Sequence, residues 1–226
     1  MIRRDYIIAA IEEFVAMLAK LAGLVKDAQW QAARQATEQQ FQRLAGVDAV
    51  GLDQMSEMEL LAAVMEHEPM LSVENKLFMV AALLKSSGDV AAGEGRSEEA
   101  QRRYLKGLHL LLGLFGRNAS IQRPDFAPAI ESFLAALGDE LLPLETRVLL
   151  MRHYEQSGQF AKAEDALLAM FDLQPASADL LEFATSFYQR LLARGDTALE
   201  AGDLPRSEVE AGLEQVRSLS PPRAGA

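Results

Sequence analysis

Apolar residues recur at three- and four-residue steps along almost the whole chain, the period of helices with one buried face. Leu144 to Pro175 shows it most clearly. Val148, Leu149, Tyr154 and their neighbours give the stretch from Leu144 to Ser157 a broad apolar stripe. Gly158 then closes that helix, because glycine accepts the left-handed conformation at a helix end. Phe160, Ala163, Leu167 and Met170 share one face of a second helix, which Pro175 ends because proline cannot continue it. Two helices joined by so tight a turn predict an antiparallel hairpin.

The same pattern extends in both directions. Arg4 to Val25 reads as a long helix carrying Ile7, Ile8, Ile11, Phe14, Val15, Leu18 and Leu21. Glu12, Glu13 and Lys20 interrupt it, so it is no membrane span, and it lacks the layout of a signal peptide. It is expected in the core; the alternative is a self-association surface. Asp27 to Ala45 is its partner, with Trp30, Ala33, Thr37 and Phe41 on one face, and Gly46 to Met55 reads as a loop. Ser56 and Glu59 form a capping box for a helix to His67, broken by Pro69. Ser72 caps the next helix, which carries Leu77, Phe78, Val80, Ala81 and Leu84 towards Ala92; Gly93 and Gly95 turn the chain. Ser97, Glu98 and Glu99 cap a helix through Leu111 and Leu112 that stops near Gly116. The polar stretch Asn118 to Pro124 is the candidate hinge, near 117–124. Asp125 caps a helix with Phe126, Ile130, Phe133, Leu134 and Leu137, bounded by Gly138 and Pro143. Ser177 caps another through Leu180, Phe183, Phe187 and Leu191; Gly202 turns the chain into a last helix, Leu204 to Leu219. No run alternates like a strand. The expectation is an all-α chain forming one helical repeat-like domain over 1–219, with a disordered tail at 220–226.

The turns before Trp30, after Ala92, at Gly158 and at Gly202 look alike. Trp30 and Ala33 match Phe160 and Ala163: an aromatic, then alanine three residues later. Ala100, Tyr104 and Gly107 repeat the spacing of Ala163, Leu167 and Met170, each set following a turn glycine by five residues. Tyr154, Gly158, Phe160, Ala163 and Pro175 together resemble a tetratricopeptide repeat, with Met151 and Met170 where that family has small residues. The resemblance implies an irregular α-solenoid of antiparallel helical hairpins with inserted helices. Separately, Arg4-Asp5-Tyr6-Ile7 and Ile11-Glu12-x-Phe14 resemble the start of an uncharacterised bacterial family of helical, repeat-like proteins, which implies no known activity.

Composition narrows the function. The chain has 226 residues and no Cys, which excludes disulfides, thiolate metal sites and thiol catalysis; a reducing cytoplasm suits it. A net charge of −11 argues against nonspecific nucleic-acid binding and against an anionic membrane surface. His67, His109 and His153 are the three histidines, and no two have metal-ligand spacing. The acid pairs Glu12-Glu13 and Glu98-Glu99 are adjacent, so their side chains diverge on a helix. No phosphate loop, dinucleotide fingerprint or nucleophile elbow occurs. No catalytic, cofactor or metal residue is expected.

The tetratricopeptide resemblance implies that the first helix of each hairpin lines a concave surface for a protein or peptide. Carried over by position, it puts Lys85, Asp89, Arg152 and Glu155 there as candidate partner-binding residues. It also puts Leu18, Ala22 and Val25 there, an apolar end that needs cover. The helix from Ser56 to His67, with Leu60, Leu61, Val64 and Met65, is the expected cover. The expectation is a non-catalytic interaction module; the alternatives are a structural homo-oligomer associating through the apolar N-terminal helix, and a cofactor-free enzyme.

Overall fold

The computed structural model describes residues 2–66, 71–118, 120–138, 142–173 and 177–219. His67, Pro69, Pro175 and the tail from 220 lie outside them. Among the described residues there are twelve α-helices and no strand. The chain divides after residue 141 into two compact units, whereas the stretch 117–124 lies within the first.

The first unit holds α1 (Ile2–Lys26), α2 (Trp30–Ala45), α3 (Ala49–Gln54), α4 (Glu57–Glu66), α5 (Val73–Gly93), α6 (Ser97–Arg117) and α7 (Ile130–Leu137). Its axis is α5, buried without interruption from Lys76 to Leu84. A helix apolar all round must be enclosed, and α1, α2, α4 and α6 enclose it. The second unit holds α8 (Leu144–Gln156), α9 (Phe160–Leu173), α10 (Ala178–Leu192), α11 (Asp196–Ala201) and α12 (Arg206–Leu219). There α8 pairs with α9, and α10 with α12. Phe160, Ala163, Leu167 and Met170 form the buried face of α9. On α8 the buried face is Thr146, Leu150, Met151 and Tyr154, and Val148 and Leu149 are only half-buried.

One turn is built four times. Ala28, Gly95, Gly158 and Asp203 each have a positive φ, between 53° and 77°. At each, the preceding N–H donates to the carbonyl four residues back. The positive-φ residue donates three back, and the following residue five back. This satisfies the carbonyls a helix end leaves open. The second helix then opens with Ala33, Ala100 and Ala163, each donating four back and each buried; in the fourth turn Val209 takes that place one residue later. The likeness expected of these turns thus exists in the backbone. At the fourth, however, the left-handed residue is Asp203, not Gly202.

Within each unit an aromatic from the first turn reaches the second. In the first unit the Trp30 indole lies where a Cβ on Gly93 would stand, 2.5 Å from its Cζ3. In the second, a Cβ on Gly202 would meet the Phe160 ring and stand 2.5 Å from the Gly158 carbonyl oxygen. The Ala161 N–H donates to the Gly202 carbonyl at 3.0 Å. Trp30 and Phe160 both stand two residues after the left-handed residue of their own turn.

Several expected boundaries shift. The loop at Gly46 to Met55 contains α3, whose first turn is held by the Asp48 carboxylate accepting from the Gly51 N–H at 2.7 Å. Ser97 lies inside α6 rather than capping it, and α6 runs through Gly116 to Arg117. The helix expected from Asp125 starts at Ile130, because Pro128 holds its predecessor extended. Between Leu191 and Gly202 stands α11, which no apolar period announces. Ser56–Glu59, Ser72 and Ser177 do cap as expected.

Two expectations about α1 are corrected. α4 packs on α2, α5 and α6, so it is not the cover over the outer face of α1. Leu18 and Val25 are half-buried and Ala22 is exposed. From Tyr6 to Lys26 of α1, Phe14 and Leu21 are the fully buried residues, because α2 and α5 reach one side of this helix.

Candidate functional site

Lys85 and Asp89 stand one turn apart on α5 and bond to each other at 2.6 Å. Tyr104, from α6, donates its hydroxyl to the same Asp89 carboxylate at 2.8 Å, and the Lys85 ammonium lies 5.1 Å from the centre of its ring. Tyr104 reaches this place because Gly88 has no side chain; a Cβ there would come within 2.6 Å of the ring. Burial and the Asp89 carboxylate together push the Tyr104 phenol far up, so it stays a donor throughout the physiological range. The cluster is a closed acid–base–phenol group with Asp89 and Lys85 partly open to solvent.

Arg152 and Glu155 lie on α8 in the second unit. The Arg152 guanidinium stands 5.9 Å from the Phe183 ring centre, within cation–π range. Glu155 accepts two hydrogen bonds from Arg190, at 2.7 and 2.8 Å, and these raise the Arg190 pKa further. The structure therefore joins Lys85 to Asp89, and binds Arg152 and Glu155 separately to α10. All four are engaged inside their own unit.

Three polar groups have no counterpart in the sequence reading. Arg103, 5 % exposed, reaches Glu99 at 2.5 Å, Asp53 at 3.3 Å and the Ser87 carbonyl at 3.4 Å. Arg96 joins Glu94 and Glu99, and Glu94 also accepts from Arg34 at 2.6 Å. Burial pushes Glu94 up, but the two arginines outweigh it and hold its carboxyl below the usual range. Lys106 donates to the Leu52 and Met55 carbonyls at the end of α3, at 2.5 and 2.7 Å. Burial lowers its pKa, and Asp53 and Glu57 oppose that. The available signal was Arg103 itself, a charge three residues after Ala100 on a face that must be buried. In the second unit Tyr188 donates to Glu164 at 2.8 Å, and burial raises the Glu164 pKa despite that bond.

Two of the histidines lie among the described residues. His109 bonds to Glu57 at the start of α4, and His153 lies 5.5 Å from the Tyr154 ring. The adjacent acids diverge as expected: Glu13 takes Arg43 at 2.6 and 3.0 Å while Glu12 is exposed. Glu99 turns inward and Glu98 faces solvent. Among the described residues no three His, Asp or Glu gather as a metal site, and no helix is long and apolar enough to cross a membrane.

A small cleft opens between α4 and the C-terminal half of α6. Met58, Leu61 and Leu114 line it together with the charged or polar Glu57, His109 and Arg117, and its volume is about 100 Å³. That is well below the several hundred Å³ of small-molecule sites. No match to the chain was found among curated proteins or among solved structures. Over residues 1–220 it matches the model of a family of unknown function, DUF6483, and it belongs to that family.

Proposed function

We propose that this protein is a non-catalytic interaction module of tetratricopeptide-like type, which binds a protein or peptide and neither nucleic acid nor membrane. The observation that carries the reading is the turn built four times, with an aromatic seating one hairpin on another within each unit, at Gly93 and at Gly202. Stacked hairpins of this kind expose a long surface without needing a catalytic pocket. The net charge of −11 favours a basic partner segment, which would compete with Lys85 for Asp89 in the first unit or with Arg190 for Glu155 in the second. The test is a capture comparison between the parent and the double variant Asp89→Asn with Glu155→Gln, with the bound proteins identified by mass spectrometry. The reading expects a specific partner retained by the parent and weakened by the variant. An identical retained set, or none, overturns the assignment of these residues.

A second reading, a homo-oligomer through the N-terminal helix, is favoured by one observation. Ile8 is 46 % and Val15 42 % exposed, unusual for β-branched residues on a well-packed helix.

A further inference from the structure

The outer face of α1 has a regular spacing. Ile8, Ile11, Val15, Leu18, Ala22 and Val25 follow one another at steps of 3, 4, 3, 4 and 3 residues. That is the a/d spacing of a coiled-coil seam. The inner face beside it buries Phe14 and Leu21, and Met17, Leu24 and Val25 pack against the Leu21 cluster, so Val25 stands where the two faces meet. Among the six outer residues, Ile8, Val15 and Ala22 are exposed and the other three half-buried. The seam is also preformed: α1 is already helical on α2 and α5, so pairing requires no new helix nucleation.

We propose that this seam pairs with the same seam of a second copy of the chain, antiparallel, about a two-fold axis between residues 16 and 17. The proposal rests on the homo-oligomer reading and specifies its geometry. Three features select it. First, antiparallel pairing sets Ile8 against Val25, Ile11 against Ala22 and Val15 against Leu18. Each layer then combines two side chains of unequal size, and the small Ala22 meets the large Ile11. A parallel pair would set Ala22 against Ala22 and leave a gap. Second, antiparallel pairing opposes the two helix dipoles, whereas a parallel pair would align them. Third, a two-fold axis makes the contact self-complementary, so it closes at two copies. From Ile8 to Val25 the seam is about 26 Å long at 1.5 Å per residue. That places it at the small end of specific interfaces, where association is reversible and concentration-dependent.

The absence of cysteine gives a clean test on the full chain. Light scattering across a dilution series should show a monomer–dimer equilibrium for the parent. Val15→Glu, at an exposed site, should raise the dissociation constant by about tenfold or more with an unchanged circular dichroism spectrum. Ile11→Cys and Ala22→Cys proteins are then mixed and oxidised under native conditions. The proposal expects the mixed 11–22 disulfide as the main product. Disulfides of 11 with 11 and 22 with 22 would overturn the antiparallel arrangement and keep the seam. A dimer unaffected by Val15→Glu and without crosslinks would overturn the seam and leave the homo-oligomer reading standing. A parent that stays monomeric at every concentration overturns both.

Discussion

Gly202→Ala is the sharpest probe of the stacked turns, because two mechanisms predict opposite signs. Gly202 ends α11 with φ −94°, a conformation alanine adopts freely. On local preference alone, alanine there would stabilise by about 0.5–1 kcal/mol through the unfolded chain. The packing says otherwise. The new Cβ would stand 2.5 Å from the Gly158 carbonyl oxygen and would meet the Phe160 ring as well. The oxygen belongs to backbone held by the three turn bonds around Gly158, so it cannot move cheaply. Overpacking of this kind costs about 1–3 kcal/mol. Displacing the Gly202 carbonyl from the Ala161 N–H adds about 1 kcal/mol. The expected loss is therefore about 2–4 kcal/mol, or a fall of about 1–2 M in the urea midpoint for an m-value near 2 kcal/mol per M. Gly158→Ala is the control. Its φ is +75° and the space around it is open, so it pays only for the left-handed backbone, about 1 kcal/mol. Urea titration by circular dichroism measures both, and hydrogen exchange places the loss between residues 142 and 219. If Gly202→Ala proves neutral or stabilising, or costs less than Gly158→Ala, the turns do not touch as described.

Three further outcomes follow from other features. Ala28 holds φ +53°, so Ala28→Gly should stabilise the first unit by about 0.5–1 kcal/mol, read from the fluorescence of Trp30 in urea. Arg103→Ala leaves Glu99 and Asp53 without their shared cation and should cost about 3 kcal/mol. Arg102→Ala, whose partner Glu98 is exposed and 3.8 Å away, should stay within about 0.5 kcal/mol of the parent in the same titration. Glu164 has a raised pKa in the fold, so the folded state holds its proton more tightly than the unfolded chain. That stability is fully present below the ordinary carboxylate range and is lost as pH rises through the raised value. Denaturant midpoints measured against pH should therefore fall across that window in the parent and stay level there in Glu164→Gln.

How far the fold could be read from the residues depended on what each element uses to define itself. The α8–α9 hairpin was legible because Gly158 separates two clear apolar periods. The capped starts at Ser56, Ser72 and Ser177 were legible because their side chains make the cap. The turn at Ala28 was recognisable only by its neighbours, since alanine carries no left-handed preference. α3 was hidden because Asp48 and Gly51, taken for loop residues, supply its cap. The outer face of α1 was seen as apolar, yet its cover was misplaced: α4 has an apolar face, but Leu60 and Val64 spend it in the core of the first unit. The partner-binding residues were the least legible. Lys85, Asp89, Arg152 and Glu155 were chosen by position along hairpins, and position does not reveal that Tyr104, Phe183 and Arg190 already engage them.

The enclosure of α5 also bears on how the chain is made. Synthesis runs from the N-terminus, so the buried run from Lys76 to Leu84 emerges from the ribosome while α6, its main neighbour, is still inside the exit tunnel. For that interval only α1, α2 and α4 can shelter it, and the side that α6 will occupy is bare. At about 5–20 residues per second, the exposure lasts a few seconds. This is the segment a holding chaperone would grasp, and slowing translation while α6 is still enclosed would be the most direct way to turn a well-folded product into an aggregated one.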